Sequence, residues 1–170
     1  MSQAARAFID LHAQKWLSDA VVIDSIKAQN ITSSGLSQTD IDTLDMAWRT
    51  QSRSGSGPMI ADVLGNDLSA YLKQVQKESN GLITEIFAMD NRGLNVGQSN
   101  VTSDYWQGDE SKWQKSYSVG PDAVFVDEVE LDESSQRYQT QVSVTVVDPD
   151  TGEAIGAITI GIDAEGLMML

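Results

Sequence analysis

The chain has 170 residues, one histidine and no cysteine, and its 11 basic and 25 acidic side chains give a formal net charge of −14. A sequence without cysteine excludes disulfide scaffolds, thiol catalysis and zinc–thiolate or iron–sulfur sites. So negative a surface repels phosphate backbones and anionic lipids, so we expect neither nucleic-acid binding nor attachment to a membrane surface. No apolar run approaches the roughly 20 residues that a membrane span needs.

The first half of the chain has the apolar spacing of helices. Apolar side chains that recur every three to four positions predict a first helix over residues 3–29. Ser37 is suited to cap a second helix, with Asp40 three residues further on near the positive end of the helix dipole. Pro58 fits the first turn of a third helix, and Gly81, which can adopt a positive φ, ends the helical part.

After Gly81 the apolar period changes from about 3.6 to two, which indicates strands. We expect strands at residues 82–89, 94–96, 124–131, 138–147 and 155–163, hairpin turns at 90–93 and 148–152, and a short helix at 109–117. Consecutive strands joined by short turns form an antiparallel sheet, and helices that precede the strands indicate the α+β class. The sequence therefore predicts one α+β domain over residues 1–170. Its helical part spans about 3–80, and a sheet of about five strands spans about 81–166.

Residues 104–117 are the segment most suggestive of a binding site. They contain two of the four tryptophans and two of the four tyrosines, with acidic side chains between them. Aromatic walls with a few polar groups are typical of small-ligand pockets, and an acid beside such rings suits a cation or an amine. The alternative is that these aromatics only fill the open face of the sheet. The candidate ligand-binding residues in this segment are Tyr105, Trp106, Lys112, Trp113 and Tyr117.

Three stretches, residues 84–97, 104–113 and 156–163, resemble the Cache (PDC) sensor domains, which are extracytoplasmic relatives of PAS domains. The first looks like the family's strand-turn-strand with an Asp-x-x-Gly turn, and the last looks like its closing Gly-x-x-x-x-x-Asp strand. The similarity covers about residues 3–166. Within the family, the chain looks most like the stand-alone PDC-sensor proteins of Gram-negative bacteria, which carry a leader peptide and no attached signalling domain.

The resemblance implies a ligand pocket between the sheet and the aromatic segment. Asp163 matches the strand-end aspartate that holds a ligand amine in amino-acid-binding members, and Asp127 completes the candidate set. Those members place an arginine two residues before a Trp-Tyr pair, whereas this chain has Ser111 there and Lys112 beside Trp113. Because lysine cannot reproduce the bidentate fork of arginine, we expect a cationic or neutral small molecule rather than an α-amino acid.

The resemblance also implies the setting of the protein. We expect a periplasmic or other extracytoplasmic sensor module whose leader peptide has been removed, without enzymatic activity, metal or cofactor. Residues 166–170 contain no linker to a following domain, which favours a complete chain. The length of the first helix suggests a homodimer formed through it. The alternative function is a structural or dimerisation domain whose own side chains fill the pocket. The acidic run of Asp127, Glu128 and Glu130 could bind a hard cation, but a solvated face is the commoner meaning.

Overall fold

The helical part begins with two helices rather than the single one predicted over residues 3–29. In the computed structural model, which describes residues 1–133 and 135–170, the N-terminal helix (residues 2–17) comprises α1 (Ser2–Phe8), a π-helical turn (Ile9–Ala13) and α2 (Gln14–Leu17). The helix α3 (Ala20–Ser33) follows. The break has a local cause, because the Asp19 carboxylate accepts the Val21 backbone N–H at 2.9 Å and thereby starts a new helix.

The next helices follow the predicted capping signals, with one further break. In α4 (Gln38–Ser54), the Ser37 hydroxyl accepts the Asp40 N–H and the Asp40 carboxylate accepts the Ser37 N–H, so the predicted cap is confirmed as a reciprocal capping box. The predicted third helix is divided into α5 (Pro58–Leu64) and α6 (Asp67–Glu78). Asn66 causes this division, because its side-chain oxygen accepts the Ser69 backbone N–H and thereby caps the start of α6. Gly81 has the predicted positive φ, at 89°.

The strands form one antiparallel sheet, as predicted. They pair in the order β2-β1-β6-β5-β3, with β4 also paired to β5. The strands are β1 (Ile83–Met89), β2 (Asn95–Gln98), β3 (Val124–Val126), β4 (Glu130–Asp132), β5 (Arg137–Val147) and β6 (Ala154–Asp163). The predicted strand over residues 124–131 is two short strands, β3 and β4. Asp127 lies between them, and its carboxylate accepts the Glu128 N–H at 2.8 Å. The α+β class is confirmed.

The alternation of side chains along β5 and β6, up to the register shift at Val146 and Val147, gives the sheet two different faces. The helix face packs against the N-terminal helix, α3 and α6, and its buried side chains on β5 and β6 include Val142, Val144, Val146, Ile158, Ile160 and Ile162. The opposite face carries the odd-numbered residues from Gln139 to Thr145 and from Ala157 to Asp163 and lies beneath α7 (Ser111–Gln114), so it is called the α7 face. A last short helix, α8 (Ala164–Met168), was not expected from the sequence.

The turn between β1 and β2 fastens the sheet to α3 through the fully buried carboxylate of Asp90. Oδ2 of Asp90 accepts hydrogen bonds of 3.0 Å from Gln29 and Ser33 of α3. Its Oδ1 accepts the backbone N–H groups of Arg92 and Leu94 at 2.8 and 3.0 Å. A buried carboxylate is tolerated only when its oxygens are satisfied in this way. The Asp-x-x-Gly signature therefore has a structural role, because it joins the turn to the helical layer.

We predict that Asp90→Ala lowers the free energy of unfolding by about 3 kcal/mol, because it leaves four buried or half-buried donors without their acceptor. Urea denaturation of the two proteins measures the difference. Asp150→Ala is the matched control, since Asp150 is an exposed turn residue, and its change should stay within about 0.5 kcal/mol. Equal stability of the Asp90 variant and the wild type would contradict this role.

Candidate functional site

The α7 face is organised as four rows of side chains that run across the sheet. Strand register places Met89, Ala157 and Thr145 in the first row, and Phe87, Thr159, Ser143 and Phe125 in the second. The third row contains Glu85, Gly161, Gln141 and Asp127, and the fourth contains Asp163, Gln139 and Glu130. Neighbouring rows are two residues apart along each strand, or about 7 Å. The face therefore changes from apolar and aromatic at one end to polar and acidic at the other.

The first row is covered by the protein's own aromatic side chains. Trp113 and Tyr117 pack on the cluster of Met89, Ala157 and Phe87 of the neighbouring row, and their two rings are stacked with centroids 5.2 Å apart. The Trp113 indole N–H donates to the Asp90 carbonyl at 3.1 Å, which ties this segment to the β1–β2 turn. The apolar end of the α7 face is thus filled by residues that the sequence proposed as ligand contacts.

The second row lies beneath two lysine ammonium groups. Nζ of Lys112 is 5.4 Å from the centroid of the Phe87 ring, and Nζ of Lys115 is 4.9 Å from that of Phe125. Both distances are within the range of cation–π attraction. Lys112 also forms an ion pair of 3.1 Å with Glu110. Burial, the largest influence, raises the pKa of Glu110, while the charge of Lys112 lowers it.

The third row holds carboxylates without a cationic partner. Among residues 1–133 and 135–170, neither Glu85 nor Asp127 forms an ion pair. Oε1 of Glu85 accepts the side-chain N–H of Gln141 at 2.8 Å, and this bond crosses over Gly161. A Cβ at Gly161 would lie 2.8 Å from Cγ of Glu85, so the glycine is needed for the two side chains to meet. A cavity of about 30 Å³, the size of one water molecule, adjoins this row beside Asp127 and Gln141.

Asp163 lies in the fourth row and is already engaged by the protein. Its Oδ2 accepts the Gly166 N–H at 2.8 Å, which caps α8, and forms an ion pair of 2.9 Å with Arg137. Asp163 is six residues beyond Ala157 on β6, which corresponds to about 20 Å along the strand. The sequence resemblance implies that Asp163 lies in one pocket with the aromatic segment. The structure instead places Asp163 away from Trp113 and Tyr117.

Tyr105 and Trp106 belong to a different environment, beside β2 and α4. Oδ1 of Asp45 accepts both of their backbone N–H groups at 3.0 Å. The Tyr105 ring packs against Trp48, with centroids 5.4 Å apart, and the Trp106 indole N–H donates to the Arg92 carbonyl at 2.8 Å. The predicted aromatic segment is thus divided, and its first two aromatic residues hold the loop to α4 instead of facing the sheet.

Glu85 is the functional candidate that sequence reasoning missed. A signal was present, since Glu85 interrupts the apolar pattern of β1 two residues before Phe87. Its row partners Gln141 and Gly161 lie on other strands, so only the strand register shows that these three residues meet. No group of three or more His, Cys, Asp or Glu side chains suited to a metal ion occurs in the part of the chain that the structure describes.

No protein-family model and no curated protein matches the chain, whereas solved structures do. The sensor domain of the V. cholerae histidine kinase DctB has a TM-score of 0.50 and 14% identity, over 99% of this chain and 54% of that one. The extracellular domain of the histidine kinase rpHK1S-Z16 has a TM-score of 0.47 and 12% identity, over 99% of this chain and 61% of that one. The sensory domain of the Campylobacter jejuni chemoreceptor Tlp3 with isoleucine bound has a TM-score of 0.43 and 18% identity, over 85% of this chain and 58% of that one.

The likeness to the DctB sensor domain shows the fold of this chain. The chain shares the fold of the part of the DctB sensor domain that it matches, and it spans about half the length of that domain. None of the helices in residues 1–133 and 135–170 combines the length and apolar character of a membrane-crossing segment.

The environment of Tyr105 generates a pH prediction. Burial, followed by the negative charge of Asp90, raises the pKa of Tyr105 from 10.0 to about 12. The phenol ionises more readily in the unfolded chain than in the folded one. The contribution of Tyr105 to the free energy of unfolding is therefore fully present below pH 10 and is lost as the pH rises from 10 to about 12. Thermal unfolding across this window should show that wild type loses about 2 kcal/mol more than Tyr105→Phe. Equal losses in both proteins would contradict the burial of the phenol.

Proposed function

We propose that this chain is the ligand-binding part of an extracytoplasmic sensor, without enzymatic activity, and that it binds a small amine-bearing molecule on the α7 face. The fold shared with the DctB sensor domain supports the sensor role. The observation that carries the amine is the third row, where Glu85 and Asp127 flank Gly161 and Gln141 and neither carboxylate has a cationic partner among the described residues.

The charges on the α7 face orient such a ligand. The ammonium groups of Lys112 and Lys115 lie over the second row and repel a cation, whereas the carboxylates of the third row attract it. A ligand ammonium therefore sits at the third row. An apolar or neutral body about 7 Å long reaches the second row, where the Ser143 and Thr159 hydroxyls lie 2.8 Å apart.

Entry of an amine larger than water requires a rearrangement of the third row. The cavity beside Asp127 holds only about 30 Å³, and the Gln141–Glu85 hydrogen bond spans the gap over Gly161. Opening this bond costs about 1 kcal/mol net, which a charge-assisted hydrogen bond from an ammonium to Glu85 offsets. The ligand thus replaces the side-chain amide of Gln141 as the donor to this carboxylate.

A second candidate function is a structural or dimerisation domain without a ligand. The observation that favours it is the filling of the apolar end of the α7 face, where Trp113 and Tyr117 pack on Phe87, Met89 and Ala157. Under this reading Lys112 and Lys115 fill the second row in the same way. The third row distinguishes the two functions, because a face filled by the protein's own side chains gives the charges of Glu85 and Asp127 no role.

We predict that a small primary amine, propylamine, raises the thermal stability of the wild type, whereas propanol does not. At a concentration 100 times its dissociation constant, the ligand should add about 2.7 kcal/mol. Glu85→Gln and Asp127→Asn should each abolish the shift, because they remove the charge and keep the shape. Glu153→Gln, which changes an exposed turn residue, should leave it unchanged. An equal shift in wild type and Glu85→Gln would exclude this site, and the absence of a shift with any amine of a broad panel would favour the structural function.

We also propose that two copies of the chain associate through the N-terminal helix. Leu11 lies on this helix and is 77% exposed, so its apolar side chain is available for a contact with a second copy. We predict that light scattering detects a dimer of the wild type and a monomer of Leu11→Glu. The conservative Leu11→Met should remain dimeric, and a monomeric wild type at all concentrations would contradict the proposal.

A further inference from the structure

A larger cavity lies on the helical side of the protein, between the N-terminal helix and α6. Its volume is about 390 Å³, which is within the range of small-ligand sites. Its walls are mainly aromatic and aliphatic, and its rim carries a few polar and charged groups. The lining residues are Phe8, His12, Lys15, Trp16, Tyr71, Gln74, Val75, Glu78, Ser79, Leu82 and Ile83.

The aromatic walls of this cavity are held in place by the surrounding structure. Phe8 and Trp16 are at least nine-tenths buried, and the ring centroids of Phe8 and His12 are 5.7 Å apart. Burial, followed by the charge of nearby Asp19, raises the pKa of Tyr71. The π-helical turn Ile9–Ala13 forms part of the same wall, and such turns widen a helix locally.

Trp16 differs from the other three tryptophans in its indole N–H. The indoles of Trp48, Trp106 and Trp113 each donate to a backbone carbonyl, at 2.8, 2.8 and 3.1 Å. Within residues 1–133 and 135–170, the Trp16 N–H has no partner, and it is not among the buried polar atoms that are sealed from solvent. The N–H group is therefore accessible to solvent, and Trp16, of which only 9% is exposed, lines this cavity.

The polar groups of the cavity favour a ligand that accepts hydrogen bonds. The Trp16 indole can only donate, and Lys15 supplies an ammonium that forms no ion pair among the described residues. The carboxylate at the rim, Glu78, accepts the Gln74 side chain at 2.6 Å and is thereby satisfied in part. An apolar body matches the rings, and an anionic end matches the two donors.

We propose that this cavity binds a small carboxylic acid with an apolar tail. The tail packs between Phe8, Trp16 and Tyr71, and the carboxylate accepts hydrogen bonds from the Trp16 indole and the Lys15 ammonium. This site is separate from the α7 face, because it lies on the opposite side of the sheet. Its ligand is an anion, whereas the ligand of the α7 face is a cation. A negative binding result at one site can therefore be distinguished from a negative result at the other.

Nuclear magnetic resonance of the full chain tests the proposal, with hexanoate as the probe. The four tryptophans give four indole N–H signals, and Trp16→Phe identifies the one that belongs to Trp16. We expect hexanoate to shift the Trp16 signal saturably, with a dissociation constant of about 1 mM or lower, while the other three signals move little. Hexanol, which has the same tail without the charge, should cause a much weaker shift.

Lys15→Met provides a second test, which does not depend on the folding of the Trp16 variant. It keeps the length of the side chain and removes the charge, so it should weaken hexanoate binding about tenfold. The matched control Lys77→Met changes a lysine of α6 that does not line the cavity, and it should bind like wild type. An unmoved Trp16 signal, or equal affinity in wild type and Lys15→Met, would overturn the proposal.

Discussion

The alternation of side chains along β5 and β6 is the constraint on which the rest of this structure depends. Alternate residues from Val142 to Val146 and from Ile158 to Ile162 are branched aliphatic and pack beneath the helices, so the residues between them must form the opposite face. A shift of one residue in register would exchange the two faces. The four rows of the α7 face therefore follow from the burial of the helix face, and the positions of Glu85, Gly161 and Gln141 follow with them.

The same constraint explains which features could be predicted from the sequence. The α+β class, the strand over residues 138–147 and the Ser37 cap depend on local patterns, and they are confirmed. The breaks at Asp19 and Asn66 were missed because a short polar side chain that caps a helix also fits within a longer amphipathic pattern. The division of residues 124–131 depends on how β5 pairs, which no local pattern records.

The candidate site shows why ligand residues were harder to predict than strands. The sequence groups Tyr105 and Trp106 with Trp113, but Asp45 of α4 holds the first two in another part of the fold. Asp163 fits a family motif and yet serves as a helix cap and an ion-pair partner. The residues that meet in the third row come from three strands and from the position that follows β3, so only the pairing of the strands brings them together.

The proposed chemistry of the protein rests on the third row as a binding site for a cation, and a crystal structure with a bound primary amine tests this most directly. The account predicts that the ammonium lies above Gly161, between the Glu85 and Asp127 carboxylates, and that the Gln141 side chain is turned away from Glu85. An amine bound instead at Asp163, or an unchanged Gln141–Glu85 hydrogen bond in crystals saturated with the amine, would contradict it.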